Sequence, residues 1–125
     1  MIHVTSDEQF KSAIAAADKF TIASFSAPWC GSCKMIKSKV EKLGEELADK
    51  SSLLKLDAEE LEELFEELEV ESFPHFRVYK NGELLGEYTG ANFPHFRVYK
   101  NGELLGEYTG AKFEKVEEFI RGIVA

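Results

Sequence analysis

The sequence predicts a single α/β domain with a central sheet flanked by helices, and three observations carry that prediction. Strand-like and helix-like segments alternate from the N-terminus in the order βαβαβα, which layers helices on a sheet. An Asn-Gly pair between two β-prone runs then marks a hairpin. The 125 residues suit one hydrophobic core, so residues 1–125 are expected to form one domain.

Each element has its own signal. Met1–Val4 is short and apolar, an edge strand. Ser6, Asp7, Glu8 and Gln9 have the form of a capping box, with the Ser6 hydroxyl accepting a first-turn amide and Gln9 reaching back. Phe10, Ala13, Ile14 and Ala17 follow at helical spacing, so that helix is expected to end near Asp18. Phe20–Phe25 is an apolar run suited to a buried central strand. Ile36, Val40, Leu43 and Leu47 form the stripe of a long helix starting after Cys30. Leu53–Asp57 is the next strand. Leu61, Leu64, Phe65 and Leu68 stripe a further helix whose many glutamates form a solvated face. Phe73–Lys80 and Glu83–Thr89 flank Asn81-Gly82, both of which tolerate the positive φ of a type I′ turn. Phe113, Val116, Ile120 and Ile123 line a final helix.

Residues 73–91 recur without one change as residues 93–111. Two copies are too few for a solenoid, and identity over the whole unit points to a recent duplication or deliberate engineering. The fold is therefore expected to carry an extra β-hairpin. Local propensity cannot choose which copy joins the sheet. The first is expected to, because it keeps the approach to Pro74 unaltered.

The formal net charge is −8, and no block of lysine or arginine offsets it. An anionic surface argues against nucleic acid and against an anionic membrane as partners. No apolar stretch is long enough to span a bilayer, and the N-terminus lacks the pattern of a secretory signal. A cytoplasmic location is expected.

The two cysteines, Cys30 and Cys33, are three positions apart. A secreted disulfide scaffold would use more, more widely spaced. The pair follows a buried strand and opens a helix. There unpaired amides and the positive dipole end stabilise a thiolate on Cys30, and thiolate is the form that attacks a disulfide. Cys33 lies one turn on, where it is expected to be the better shielded and to resolve a mixed disulfide by internal attack. Half of a zinc site and two inert thiols are the alternatives, but His3, His75 and His95 have no matching ligand spacing. No bound cofactor and no metal are expected, only a reversible Cys30–Cys33 disulfide.

The stretch Phe25-Ser26-Ala27-Pro28-Trp29-Cys30-Gly31-Ser32-Cys33-Lys34 resembles the thioredoxin signature, usually W-C-G-P-C-K, with Ser32 in place of proline. The resemblance continues without a gap to Phe73-Pro74, which is similar to the family's cis-proline loop, and on to Gly90-Ala91. It implies a thioredoxin fold with a central mixed sheet, and a protein-disulfide reductase whose partners are thioredoxin reductase and disulfide-containing proteins. It implies that Trp29 and Gly31 shape the substrate surface, and that Phe73 and Pro74 hold an extended substrate segment, with Pro94 taking that role if the second copy docks.

Two departures from the family pattern stand out. A buried aspartate usually precedes the first cysteine by six residues; here that position is Ser24, which cannot act as a carboxylate base, and Lys55 matches the position beside it. Attack by Cys33 is therefore expected to be slow near neutral pH unless water carries the proton. Ser32 loosens the turn between the cysteines, so a less reducing couple than the proline version is expected. His75 is expected on a strand face or at the surface. Two other readings remain: a disulfide oxidase or isomerase, and an idle folding scaffold with an obstructed site. The spare hairpin could also pair with a second chain as a dimer.

Overall fold

Near-continuous burial along three adjacent strands builds the centre of the fold. The computed structural model describes residues 1–89 and 113–124 in full, and the backbone of 96–100 and 103–108. Its elements are β1 (Ile2–His3), α1 (Asp7–Ile14), β2 (Phe20–Ser26), α2 (Gly31–Glu46), β3 (Ser51–Asp57), α3 (Glu62–Glu67), β4 (His75–Lys80), β5 (Glu83–Thr89), β6 (Phe96–Lys100), β7 (Glu103–Tyr108) and α4 (Phe113–Val124). The main sheet has the order β1-β3-β2-β4-β5. β1 and β2 run parallel to β3, while β4 is antiparallel to both β2 and β5, so the sheet is mixed.

The period-2 alternation of the strands sends side chains to two cores. Phe10 of α1 and Leu64 and Phe65 of α3 pack with Ala23, Phe25, Leu54 and Leu56 on one face. On the other, Ile36, Val40 and Leu43 of α2 and Val116, Ile120 and Val124 of α4 pack with Ile22, Leu53, Phe76 and Val78.

The helix α1 stops at Ile14 rather than near Asp18. The cause is tertiary. The backbone N–H groups of Asn81 and Gly82 donate to the carbonyls of Ala16 and Ile14 at 2.8 Å, and the Thr21 hydroxyl donates to the Ala13 carbonyl at 3.1 Å. Those acceptors serve the hairpin turn and β2 instead of a further helical turn. At its start, Ser6 accepts from the Gln9 amide as expected, while the Gln9 carboxamide oxygen accepts from the Thr5 amide instead of the cap's own. Asn81 and Gly82 have φ of 55° and 79°, the left-handed pair that the turn demands.

The first copy of the repeat supplies β4 and β5 to the sheet. The strands β6 and β7 pair antiparallel in a two-stranded sheet of their own. Their register repeats that of the first copy twenty residues on: Phe76 faces Tyr88 and Phe96 faces Tyr108, and the irregularity between Val78 and Tyr79 recurs between Val98 and Tyr99. Pro94 lies outside the described residues.

Candidate functional site at the start of α2

The strand β2 ends at Ser26, and the chain then turns so that the Cys30 amide donates to the Ala27 carbonyl at 3.0 Å. Cys30 is left as the N-cap of the 16-residue helix α2, with extended φ and ψ of −88° and 100°. Its sulfur accepts a hydrogen bond from the Cys33 backbone N–H at 3.1 Å. An N-cap side chain normally satisfies one of the helix's open donors with oxygen; here sulfur does so. The same amide and the helix dipole would stabilise negative charge on that sulfur in the reduced protein. Cys30 and Cys33 are joined as a disulfide with Cα atoms 5.4 Å apart.

The expected shielding of the two cysteines is reversed. Cys30 is 2% exposed and clusters with Ala27, Phe25 and Phe73, whereas Cys33 is half-buried. The cause is the cap itself, which folds the Cys30 side chain back over the first turn of its own helix.

Around the pair, Trp29 is 65% exposed and meets the ring of buried Phe73 edge-on at 6.4 Å. Phe73 leans on Phe65 at 5.8 Å, and Phe65 on Phe25 at 5.3 Å, so the aromatic wall is anchored in the core. The Phe73–Pro74 peptide bond is cis, and Pro74 is buried. Gly31 is exposed, and a Cβ there would meet nothing within 4 Å; Ser32 is half-buried. Ser24 and Lys55, both half-buried, are partners in the parallel register of β2 and β3. A cavity of about 200 Å³ opens beside them, with Cys33 and Pro74 also in its wall.

His75 is not a surface residue. It is buried on β4, edge-on to Phe25 at 5.5 Å, and both ring nitrogens are engaged. The Arg77 Nε–H donates to Nε2 at 3.0 Å, which leaves the proton on Nδ1 to be donated to the Thr89 hydroxyl at 2.6 Å. Burial and then the Arg77 charge push the imidazole pKa down to about 4. Arg77, itself 9% exposed, also donates to the Leu68 carbonyl at 2.7 Å and lies over Phe25. Sequence reasoning passed over Arg77, because an arginine within a strand ordinarily marks a solvated position. Asp57 was seen only as the end of a strand, yet it shares the cavity wall with Cys33.

Among the described residues no group of three or more histidine, cysteine or acidic side chains could hold a metal ion. None of their helices is long and apolar enough to cross a membrane.

A disulfide that caps a helix beside a cis-proline loop on a mixed sheet defines a dithiol–disulfide exchange protein. The Thioredoxin family model matches residues 1–93. Mouse thioredoxin is 40% identical over 92 residues, covering 70% of this chain and 84% of that protein. Thioredoxin-2 of Saccharomyces cerevisiae is 38% identical over 86 residues, 69% of this chain and 82% of its own. A solved structure of Plasmodium falciparum thioredoxin superposes with a TM-score of 0.76 at 27% identity, covering 98% of this chain and 99% of that one. The chain belongs to the thioredoxin family and is a thiol–disulfide oxidoreductase.

Proposed function

We propose that the chain reduces disulfides in other proteins, with Cys30 attacking and Cys33 resolving. The observation that carries this reading is the hydrogen bond from the Cys33 amide to the Cys30 sulfur at the N-terminus of α2. A thiolate held there attacks one sulfur of a substrate disulfide, forming a mixed disulfide and releasing the other substrate sulfur as thiolate. Cys33 then displaces the bound substrate sulfur, and the Cys30–Cys33 disulfide forms. Two electrons pass to the substrate. A flavin-containing, NADPH-dependent thioredoxin reductase, the partner that membership of the family implies, returns the pair to the dithiol.

Exposed Trp29 and the Phe73-Pro74 loop form the docking surface, where the backbone around Phe73 pairs with an extended substrate segment. Gly31 keeps the approach open, and Ser32 sets how reducing the couple is. Such a reductant suits the cytoplasm, where thiols are kept reduced. We read the repeat as a tandem duplication within one domain. The β6–β7 pair is the element through which two chains would associate.

Insulin-disulfide reduction driven by dithiothreitol tests the reading. The wild-type chain is expected to accelerate it, Cys30→Ser to abolish it, and Cys33→Ser to accumulate a mixed disulfide with the substrate. A Cys33→Ser protein that traps nothing while Cys30→Ser does would reverse the two roles.

A further inference from the structure

The wall of the cavity beside Cys33 is built by the strand pleat. Ile22, Ser24 and Ser26 of β2, and Leu53, Lys55 and Asp57 of β3, alternate onto the sheet face that α2 covers. Towards the start of these strands, Ile22 and Leu53 pack against Ile36 and Val40. Towards their ends the same face carries Ser24, Ser26, Lys55 and Asp57, and the packing opens into the cavity of about 200 Å³. Most of the lining is apolar, but a water takes up roughly 30 Å³ of liquid, and at this end Ser24, Ser26, Lys55 and Asp57 offer waters polar partners.

The charged groups around that space come from three places. The helix α2 brings Lys34, Lys37 and Glu41, β3 brings Lys55 and Asp57, and Met1 brings the α-amino terminus. Among the described residues that line it, only Glu41 and Asp57 are carboxylates. Glu41 lies eight residues beyond Cys33 on the same helix, a rise of about 12 Å. Asp57 instead sits at the end of β3, in register with Ser26, the last residue of β2 before the chain turns to the cysteines. Its position is fixed: Oδ1 accepts from the Glu59 amide at 2.8 Å.

We propose that Asp57 is the proton acceptor for Cys33, taking over from the neighbouring strand the task for which Ser24 has no suitable group. The inference rests on Cys33 being the resolving sulfur. In the resolving step the Cys33 thiol loses its proton to the Asp57 carboxylate through cavity water. The Cys33 thiolate then forms a bond to the Cys30 sulfur. The bond between Cys30 and the substrate sulfur breaks, and that sulfur leaves with the electron pair and takes a proton from solvent.

The experiment is a stopped-flow reaction of the reduced protein with Ellman's reagent across pH 5 to 9. The first aromatic thiolate released reports attack by Cys30, and the second reports attack by Cys33 on the mixed disulfide. Asp57→Asn is expected to leave the first phase unchanged, to slow the second at pH 7 tenfold or more, and to shift its pH profile upward. Asp57→Glu should keep the wild-type profile, Glu41→Gln should change neither phase, and Ser24→Asp in the Asp57→Asn background should restore the second phase. A second phase in Asp57→Asn that superposes on wild type overturns the inference, as does a shift produced by Glu41→Gln instead. If Cys33→Ser still releases both thiolates, the assignment of Cys33 fails first, and the two failures are told apart.

Discussion

A neutral imidazole locked next to a guanidinium is the most unusual residue-scale feature of the molecule, and it has a definite pH signature. His75 holds its proton more weakly folded, with a pKa of about 4, than unfolded, where the ordinary value is 6.5. Below pH 6.5 the unfolded chain is therefore protonated first. The stability present at neutral pH falls as pH drops from 6.5 to about 4, by up to roughly 3 kcal/mol for this residue. In His75→Gln the amide can still accept from Arg77 and donate to Thr89 but does not titrate. Its urea-unfolding free energy should lie below that of wild type at pH 7 and converge on it by pH 4.5. A gap that stays constant with pH would remove His75 as the cause. At this scale Trp29, Cys30 and Cys33 were legible because they sit in one short local motif, and the cis bond at Pro74 because Phe73-Pro74 forms a second one at a matching spacing. The burial of Cys30 and the partners of His75 and Arg77 were not, because a β-strand pattern does not say what lies above its face.

Hairpins are encoded locally, and the repeat provides an internal control. The strands β6 and β7, outside the main sheet, keep the register and the irregularity of β4 and β5 inside it. Membership of the main sheet is thus not what sets the register of the repeat. Each copy carries the same side chains, so the second hairpin can replace the first in the sheet at the cost of moving the spare residues from one loop to the other. Either loop closure costs only about 1–2 kcal/mol from its logarithmic length dependence. Phe76 is 1% exposed in the core, and truncating such a ring ordinarily costs about 3–5 kcal/mol. Phe96→Ala should therefore leave stability nearly unchanged, Phe76→Ala should lose only about 1–2 kcal/mol as the second copy moves in, and the double variant should lose the full amount. Urea midpoints measure all three; a full loss in Phe76→Ala alone would show that exchange does not occur. The β4–β5 hairpin was legible from sequence. The end of α1 was not, because its last carbonyls are taken by Asn81 and Gly82, some sixty-five residues away.

For the whole molecule, deletion of residues 73–92 or of 92–111 leaves one and the same 105-residue sequence, with Ser72 before the remaining copy and Lys112 after it. The 125-residue chain differs from that sequence by one extra stretch of twenty residues, and the topology says where the stretch starts. With the first copy in the sheet, the extra residues follow β5, whose last residue, Thr89, is in register with His75, the residue next to Pro74. They therefore begin at the redox end of the sheet, beside the loop that would hold a substrate segment. A small disulfide needs access only to the sulfur, whereas on the proposed docking surface a folded protein would also seat itself on Trp29 and Phe73. Deleting residues 92–111 should thus raise kcat/KM for insulin severalfold while leaving the rate with Ellman's reagent unchanged, and should add about 1–2 kcal/mol of stability by shortening one loop. Equal insulin rates in the two chains would place the spare hairpin clear of the docking surface. Activity toward both substrates only after deletion would make the longer chain an obstructed scaffold and not a working reductant.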